Sequence, residues 1–253
     1  MAEAYVFYNP LAGNGQVLED LEALQVVLED HAVLCDMTKP ETYAQKLFAM
    51  GSEDVLVLCG GDGTLNRFAN LTEPVQLKNS VYYYPAGCCN DFARSFRRRN
   101  GDNPFCIDPY LQNLPVLTVN GRRMRFLTGV QFGLCPGRLE PLSVTVTVDG
   151  TKQRFEKVSM CAVMFRRFCA GGVEPVPGER LDATALKLML VHDCGKLEAA
   201  HLRAKLRRGH SLERCRRRSV LSGKEITLAF DRPVCLYADG EALTQVSSLQ
   251  LCR

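Results

Sequence analysis

The stretch Val55-Leu56-Val57-Leu58-Cys59-Gly60-Gly61-Asp62-Gly63-Thr64-Leu65-Asn66 is an unbroken apolar run that breaks into three glycines, an aspartate and a threonine. It resumes as Leu65-Asn66-Arg67-Phe68-Ala69, and the whole predicts a buried strand, a tight loop and the start of a helix. Glycines let backbone amides approach an anion without a Cβ in the way, and a helix start presents unpaired N–H groups. Thr64 is expected to cap that helix. Asp62 fits beside an anion only if a cation accompanies it. Mg²⁺ is the natural one, because phosphates with one or two carboxylates are its usual ligands. Taken alone, the loop also fits an ordinary strand-to-helix turn.

Two further loops have the same design. Tyr5-Val6-Phe7-Tyr8 runs into Asn9-Pro10-Leu11-Ala12-Gly13-Asn14-Gly15, after which Val17, Leu18, Leu21, Leu24 and Leu28 recur at helical spacing. Val81-Tyr82-Tyr83-Tyr84 runs into Pro85-Ala86-Gly87-Cys88-Cys89-Asn90-Asp91 and then Phe92-Ala93-Arg94. In an open parallel sheet such loops gather at the carboxyl edge, where ligands bind. Strands are expected at 4–8, 32–36, 54–59 and 80–84, alternating with helices, so the first part is an α/β domain with a parallel sheet covered on both faces. Thr38-Lys39-Pro40-Glu41 has the spacing of a capping box, which places a helix start at Thr38.

The period changes after Pro104. Asn120-Gly121 and Asp149-Gly150 each sit between short apolar alternations, the signal of two-residue hairpins. Further strands are expected at 158–165, 186–191, 225–230, 234–238 and 247–251, with one helix at 196–208 bearing Leu197, Leu202 and Leu206. The second part is therefore an antiparallel β-sandwich. The chain divides into 1–110 and 111–253, with the boundary inferred from the change of period near 105–115.

With 253 residues, of which 46% are hydrophobic, the chain can bury a substantial core. A net charge of +3 gives no global argument for nucleic acid. The twelve cysteines are scattered singly except for Cys88-Cys89 and form no metal-binding pattern. Several fall inside apolar strand patterns, as at Cys59, Cys161 and Cys235. They are expected to be free thiols in a reducing cytosol. A strand starting almost at once is expected to leave no room for a leader peptide, and no apolar run reaches membrane-spanning length. The expected location is the cytoplasm, peripheral to the inner face of the membrane.

The three loops, followed by Asp239-Gly240-Glu241 near the end, resemble the four ordered signatures of the diacylglycerol kinase catalytic-domain family, which includes soluble bacterial lipid kinases and sphingosine kinases. The resemblance covers nearly the whole chain. It implies an ATP-binding α/β domain, a β-sandwich and an active-site cleft between them, and transfer of the ATP γ-phosphoryl to a lipid hydroxyl such as that of diacylglycerol. Carried over by position, Asn9, Gly13 and Gly15 would cradle phosphates. Gly60, Gly61, Asp62, Gly63, Thr64 and Asn66 would form the central phosphate and Mg²⁺ platform, and Asn90 and Asp91 would close the nucleotide pocket. Glu241, supported by Asp239, matches the family's proton acceptor. Such a division suits phosphoryl transfer, which is mostly positioning and charge neutralisation.

The chain departs from that pattern in four places. Cys88 stands where the family usually has threonine, and Arg67 where it has glutamate. In Arg180-Leu181-Asp182-Ala183-Thr184 a single acidic residue, Asp182, remains of the family's structural Mg²⁺ pair. Between Cys135 and Val144 the family inserts a few dozen residues that help wall the lipid pocket, and here Pro136-Gly137-Arg138-Leu139-Glu140-Pro141 spans the gap. A smaller acceptor, a pocket completed by a partner, and a nucleotide-binding member with impaired catalysis all remain open, as does self-association. An NAD kinase-like enzyme, which shares a Gly-Gly-Asp-Gly loop, is a further reading that the Pro85 to Arg94 motif disfavours. Arginines cluster at 97–99, 122–125, 166–167 and 203–218. On one face they would hold the protein at anionic lipid, and otherwise they are solvated loop and helix ends. No aromatic residues interleave with them as a nucleic-acid surface requires.

Overall fold

The computed structural model describes residues 2–72, 77–137, 140–177 and 184–253, and the chain forms two compact units, Met1–Gln112 and Asn113–Arg253. In the first, strands β1 (Ala4–Tyr8), β2 (Ala32–Asp36), β3 (Val55–Gly60), β4 (Val81–Pro85) and β5 (Phe105–Cys106) form one sheet in the order β2-β1-β3-β4-β5. The first four are parallel. The short β5 is antiparallel to β4 and was not foreseen; two residues are too few to show a period. The order reverses between β1 and β3, so the loops leaving those two strands open side by side.

The helices are α1 (Val17–Leu28), α2 (Pro40–Ala49), α3 (Asp62–Leu71), α4 (Asp91–Ser95) and α5 (Asp108–Leu111). Helix α1 lays Val17, Leu21 and Leu24 on Val6, Val57, Cys59 and Tyr84, the i, i+4, i+7 stripe of a core-facing helix. Rings of Tyr83, Phe92, Phe96, Phe105 and Tyr110 pack edge-on or tilted around α4, with Phe96 and Tyr110 centroids 4.2 Å apart. That cluster seats the segment after α4. Thr38 is not a cap: α2 starts at Pro40, with Lys39 in the cap position and no side-chain cap. The Thr38 N–H and hydroxyl both donate to Asp36 Oδ1, at 2.8 and 2.6 Å. An ionised carboxylate is the stronger acceptor and draws Thr38 into an Asx turn.

The second unit is antiparallel. Its strands are β6 (Val116–Val119), β7 (Arg122–Arg125), β8 (Gly129–Phe132), β9 (Leu142–Val148), β10 (Thr151–Val158), β11 (Met160–Met164), β12 (Leu186–Val191), β13 (Arg218–Gly223), β14 (Glu225–Ala238) and β15 (Glu241–Cys252). The two runs expected at 225–230 and 234–238 are one long strand, β14. Its first part pairs with β9 and its end with β8, with a register irregularity between Ala229 and Val234. One bent strand thus joins both layers. Three hairpins turn on Asn120-Gly121, Asp149-Gly150 and Asp239-Gly240. All six residues have positive φ, from 46° to 89°, the type I′ geometry that suits the right-handed twist of the strands. Helix α6 (Lys196–Arg207) packs Ala199, Leu202 and Leu206 against Met160, Met189 and Val191. Leu197 lies off that stripe and is 90% exposed. Strand β13, at the end of the basic stretch, was not anticipated either.

No helix among the described residues is long and apolar enough to cross a membrane. All twelve cysteines are free; Cys35, Cys59, Cys161, Cys169 and Cys194 are buried, and Cys88, Cys89, Cys106 and Cys235 exposed. Cys235 corrects the expectation from its apolar neighbours, since on a strand the adjacent residue faces the other way. Burial pushes the Cys35 thiol up to about 11 and Cys59 up to about 12, so neither forms the reactive thiolate near neutrality. Iodoacetamide at pH 8 is expected to label Cys88, Cys106 and Cys235 in the folded protein and to spare Cys35, Cys59 and Cys161, as read by peptide mass spectrometry.

Candidate functional site

Three loops of the first unit meet at the carboxyl edge of its sheet. In the loop after β1, Asn9 Oδ1 accepts the Leu11 N–H at 3.0 Å, and Gly13, Asn14 and Gly15 follow with φ of 59°, 57° and 92°. A Cβ on Gly13 would lie 2.9 Å from the Ala86 carbonyl oxygen. In the loop after β3, the Gly60 carbonyl accepts the Ala86 N–H at 2.9 Å and the Tyr83 hydroxyl at 3.0 Å. Gly61 meets Gly87 of the loop after β4 so closely that a Cβ on Gly87 would sit 2.3 Å from the Gly61 Cα. The chain crosses itself there without side chains.

Asp62 locks the crossing. Its Oδ2 accepts the Asp91 N–H at 2.8 Å and its Oδ1 the Phe92 N–H at 2.9 Å, so it caps α4 from another helix and neutralises two amides that begin that helix. Asn90, the local cap residue, has left-handed φ of 49° and no capping bond. It is buried, accepting the Gly87 N–H at 3.1 Å, donating to the Gly87 carbonyl at 2.8 Å and to Asn100 Oδ1, and lying 3.3 Å from the Tyr83 hydroxyl. Burial, followed by the charges of Asp62, Cys59 and Asp91, pushes the Tyr83 phenol well above its ordinary range. It stays a donor at any working pH. Asp91 is buried beside Asn90. Tyr83 and Asn100 carried no signal in the sequence beyond a strand and a loop.

Thr64 does not cap α3. The helix starts at Asp62 with Gly61 in the cap position and no side-chain cap; Thr64 is buried in the first turn, where its side chain fills the space a Cβ on Gly60 would need, at 2.6 Å. The first helical bond runs from Leu65 N–H to the Gly61 carbonyl at 3.1 Å. The start of a ten-residue helix, bare of a side-chain cap and set among glycine loops, is suited to a phosphate. Gly63 faces open space. Asn66 is buried, and its Oδ1 accepts from Asn70 Nδ2 at 3.1 Å. Cys88 and Arg67 are exposed.

No three carboxylate, imidazole or thiol groups come together among the described residues. A dedicated protein cage for Mg²⁺ is thus not formed by them; Asp62, the carboxylate expected at the ion, accepts two backbone N–H groups and is only half-buried. Asp182 and its neighbours lie outside the described residues.

Helix α4 ends in a Schellman motif: Arg97 N–H donates to the Arg94 carbonyl at 3.0 Å and Arg98 N–H to the Ala93 carbonyl at 3.0 Å. Arg97 takes the left-handed position, φ 59°, where glycine is at ease and an L side chain costs about 1 kcal/mol.

In the second unit Asp239 is buried at the β14–β15 turn. Its Oδ1 accepts the Thr128 N–H and hydroxyl at 2.8 and 2.6 Å and the Gly129 N–H at 3.2 Å, and its Oδ2 accepts the Leu127 N–H at 2.6 Å. With four donors converging on it, it positions the 127–129 loop. Glu241 opens β15 opposite Ala238 and is exposed. The shortened segment after β8 is clipped to α6: Arg203 donates to the Cys135 and Gly137 carbonyls at 3.1 and 2.9 Å, and Arg207 to the Leu134 carbonyl at 3.4 Å. These two arginines serve the fold.

Asp239→Asn turns an acceptor into a donor in front of Leu127 and Thr128 and is expected to lower stability by about 2–3 kcal/mol in urea unfolding. Arg97→Gly is expected to raise it by about 1 kcal/mol in the same assay.

A model of the diacylglycerol kinase catalytic domain matches residues 3–114, and one of the YegS C-terminal NAD kinase beta sandwich-like domain matches 134–252. A diacylglycerol kinase of Bacillus subtilis strain 168 is 32% identical over 102 residues, which are 38% of this chain and about a third, 33%, of that protein. A solved diacylglycerol kinase structure from Bacillus anthracis strain Sterne superposes with a TM-score of 0.66 at 19% identity, over 99% of this chain and 94% of that one. A second from that strain, named provisionally for the same activity, gives 0.71 at 18% identity, over 99% and 93%. The two models match in the order in which the two units fold, so the chain is similar to the diacylglycerol kinase catalytic domain over its first unit and to the YegS C-terminal sandwich over most of its second.

Proposed function

We propose that this protein is an ATP- and Mg²⁺-dependent kinase that transfers the γ-phosphoryl group to a lipid hydroxyl, of diacylglycerol or a similar acceptor, at an anionic membrane surface on the cytoplasmic side. One observation carries the reading: the glycine loops after β1, β3 and β4 converge on the bare start of α3, where backbone amides hold phosphates without side-chain interference. Asp62 would hold Mg²⁺, which would supply neutralisation of phosphate charge. Asp62 also keeps α4 and the third loop in place, so its two duties are coupled. Glu241 accepts the proton of the acceptor hydroxyl. It is exposed at a hairpin tip, and Asp239 behind it fixes the turn through the 127–129 loop.

A second reading, a family member that binds nucleotide without transferring phosphate, is favoured by the segment that α6 clips at Leu134, Cys135 and Gly137. A shorter wall leaves less surface to enclose an acyl chain.

Transfer of radiolabel from the ATP γ-position to micellar diacylglycerol, monoacylglycerol, sphingoid bases and polyprenols, with NAD as a soluble acceptor, decides between these readings. A lipid product that requires Mg²⁺ and falls a hundredfold or more in Glu241→Gln, in line with the usual contribution of a general base of about 10²–10⁴, is the expected result. Unchanged turnover in that variant would overturn the assignment of Glu241. ATP binding with no labelled acceptor would establish the second reading.

A further inference from the structure

We infer that Ser219 is an acyl-acceptor site: its hydroxyl, aligned on the His192–Asp193 pair in the second unit, takes an acyl group from a small activated ester. Ser219 Oγ lies 2.8 Å from His192 Nε2, and His192 Nδ1 lies 2.7 Å from Asp193 Oδ2. An ionised carboxylate can only accept, so the bond to Asp193 fixes the ring proton on Nδ1 and leaves the Nε2 lone pair facing the hydroxyl. A nucleophile, a base and a group that orients the base are then joined by hydrogen bonds, the arrangement that activates a serine.

Strand pairing builds this line. Leu190 and Ser219 are in register across β12 and β13, so His192, two residues on, projects from the same face and reaches Ser219 on the diagonal. Asp193 follows with left-handed φ of 51°, which an aspartate tolerates, and its N–H donates to the Glu156 carbonyl at 3.0 Å. The chain is thereby bent and pinned where the carboxylate meets the neighbouring ring. Phe155 stands edge-on to the imidazole, with ring centroids 5.1 Å apart. The His192 side chain is only 14% exposed, whereas Ser219 is partly open to solvent. The base is held and shielded, and the hydroxyl is within reach of a small molecule.

One backbone donor stands beside that hydroxyl. The His192 N–H donates to the Arg217 carbonyl at 2.9 Å, which makes 192 and 217 a hydrogen-bonded pair and, by antiparallel alternation, 190 and 219 another. The Val220 N–H therefore points away from β12, and among the described residues β13 is the last strand on that side of its sheet. A single N–H steadies an acyl oxyanion less than a full set of donors does, so the geometry suits one acyl transfer to Ser219 and not rapid turnover. In that step Ser219 Oγ bonds to the acyl carbon while its proton passes to His192 Nε2. The bond from that carbon to the leaving oxygen breaks, and the alcohol departs with the proton. A purely structural account fits less well: β12 and β13 already pair over six residues, and a hydroxyl on an edge strand reaches water without a histidine.

The site lies in the second unit and uses no nucleotide, so its fate is separate from that of the kinase reading. The test is incubation of the whole protein with 4-nitrophenyl acetate, with acetylation of each serine followed by peptide mass spectrometry. Ser248, exposed on β15, is the internal reference. Ser219 is expected to be acetylated at least about a hundredfold faster than Ser248, the usual contribution of a general base. His192→Gln is expected to bring Ser219 down to the Ser248 rate. Acetylation of Ser219 no faster than that of Ser248 in the wild type overturns the proposal, whether or not any variant folds. So does a His192→Gln variant that unfolds in urea as wild type does and keeps the wild-type rate at Ser219.

Discussion

Gly61 and Gly87 touch through their backbones, and the contact exists because neither carries a Cβ. Around that crossing, Asp62 reaches from the start of α3 to the amides that begin α4, while Tyr83 and Asn90 tie the Gly60 carbonyl to the third loop. Three loops that leave separate strands become one surface. A side chain at either glycine would hold the loops apart, and the start of α3 would then stand alone instead of at the centre of a glycine cradle. The rest of the first unit serves this point: the parallel sheet delivers the loops to one edge, and the aromatic cluster around α4 gives the third loop something to rest on.

Two carboxylates do the same physical work in the two units. Asp62 and Asp239 each collect backbone N–H groups from a neighbouring segment through charge-assisted bonds, part-buried at Asp62 and buried at Asp239. Each organises a loop. Glu241 is two residues beyond Asp239 and differs in having an exposed carboxylate on a turn whose geometry Asp239 has already set. A rigid support beneath an exposed acid is what positioning chemistry requires.

The arginines divide in a way that charge counting conceals. Arg203 and Arg207 cap carbonyls of a short segment, Arg217 lies 3.7 Å from Glu198 across the start of α6, and Arg167 pairs with Glu174. The cluster that follows α4 gathers instead around a cavity. A guanidinium that meets carbonyls or a carboxylate is part of the fold.

The sequence by itself determined the alternation of strand and helix, the three glycine loops and the Asn-Gly and Asp-Gly hairpins. These depend on local rules: apolar period, the positive φ that glycine and asparagine tolerate, and the short reach of a turn. It also placed Glu241 and the loop glycines as candidates. What it could not show is which acceptor each donor chooses. Thr38 goes to Asp36 instead of capping α2, Thr64 fills the space beside Gly60, Asp62 caps a helix twenty-nine residues on, and Asp239 engages residues more than a hundred positions earlier. The short β5, with its two residues, and the bend of β14 between layers belong to the same class. Only the tertiary structure decided these, because a hydrogen bond between distant segments is set by where the packed core brings their backbones, and no local pattern records that distance.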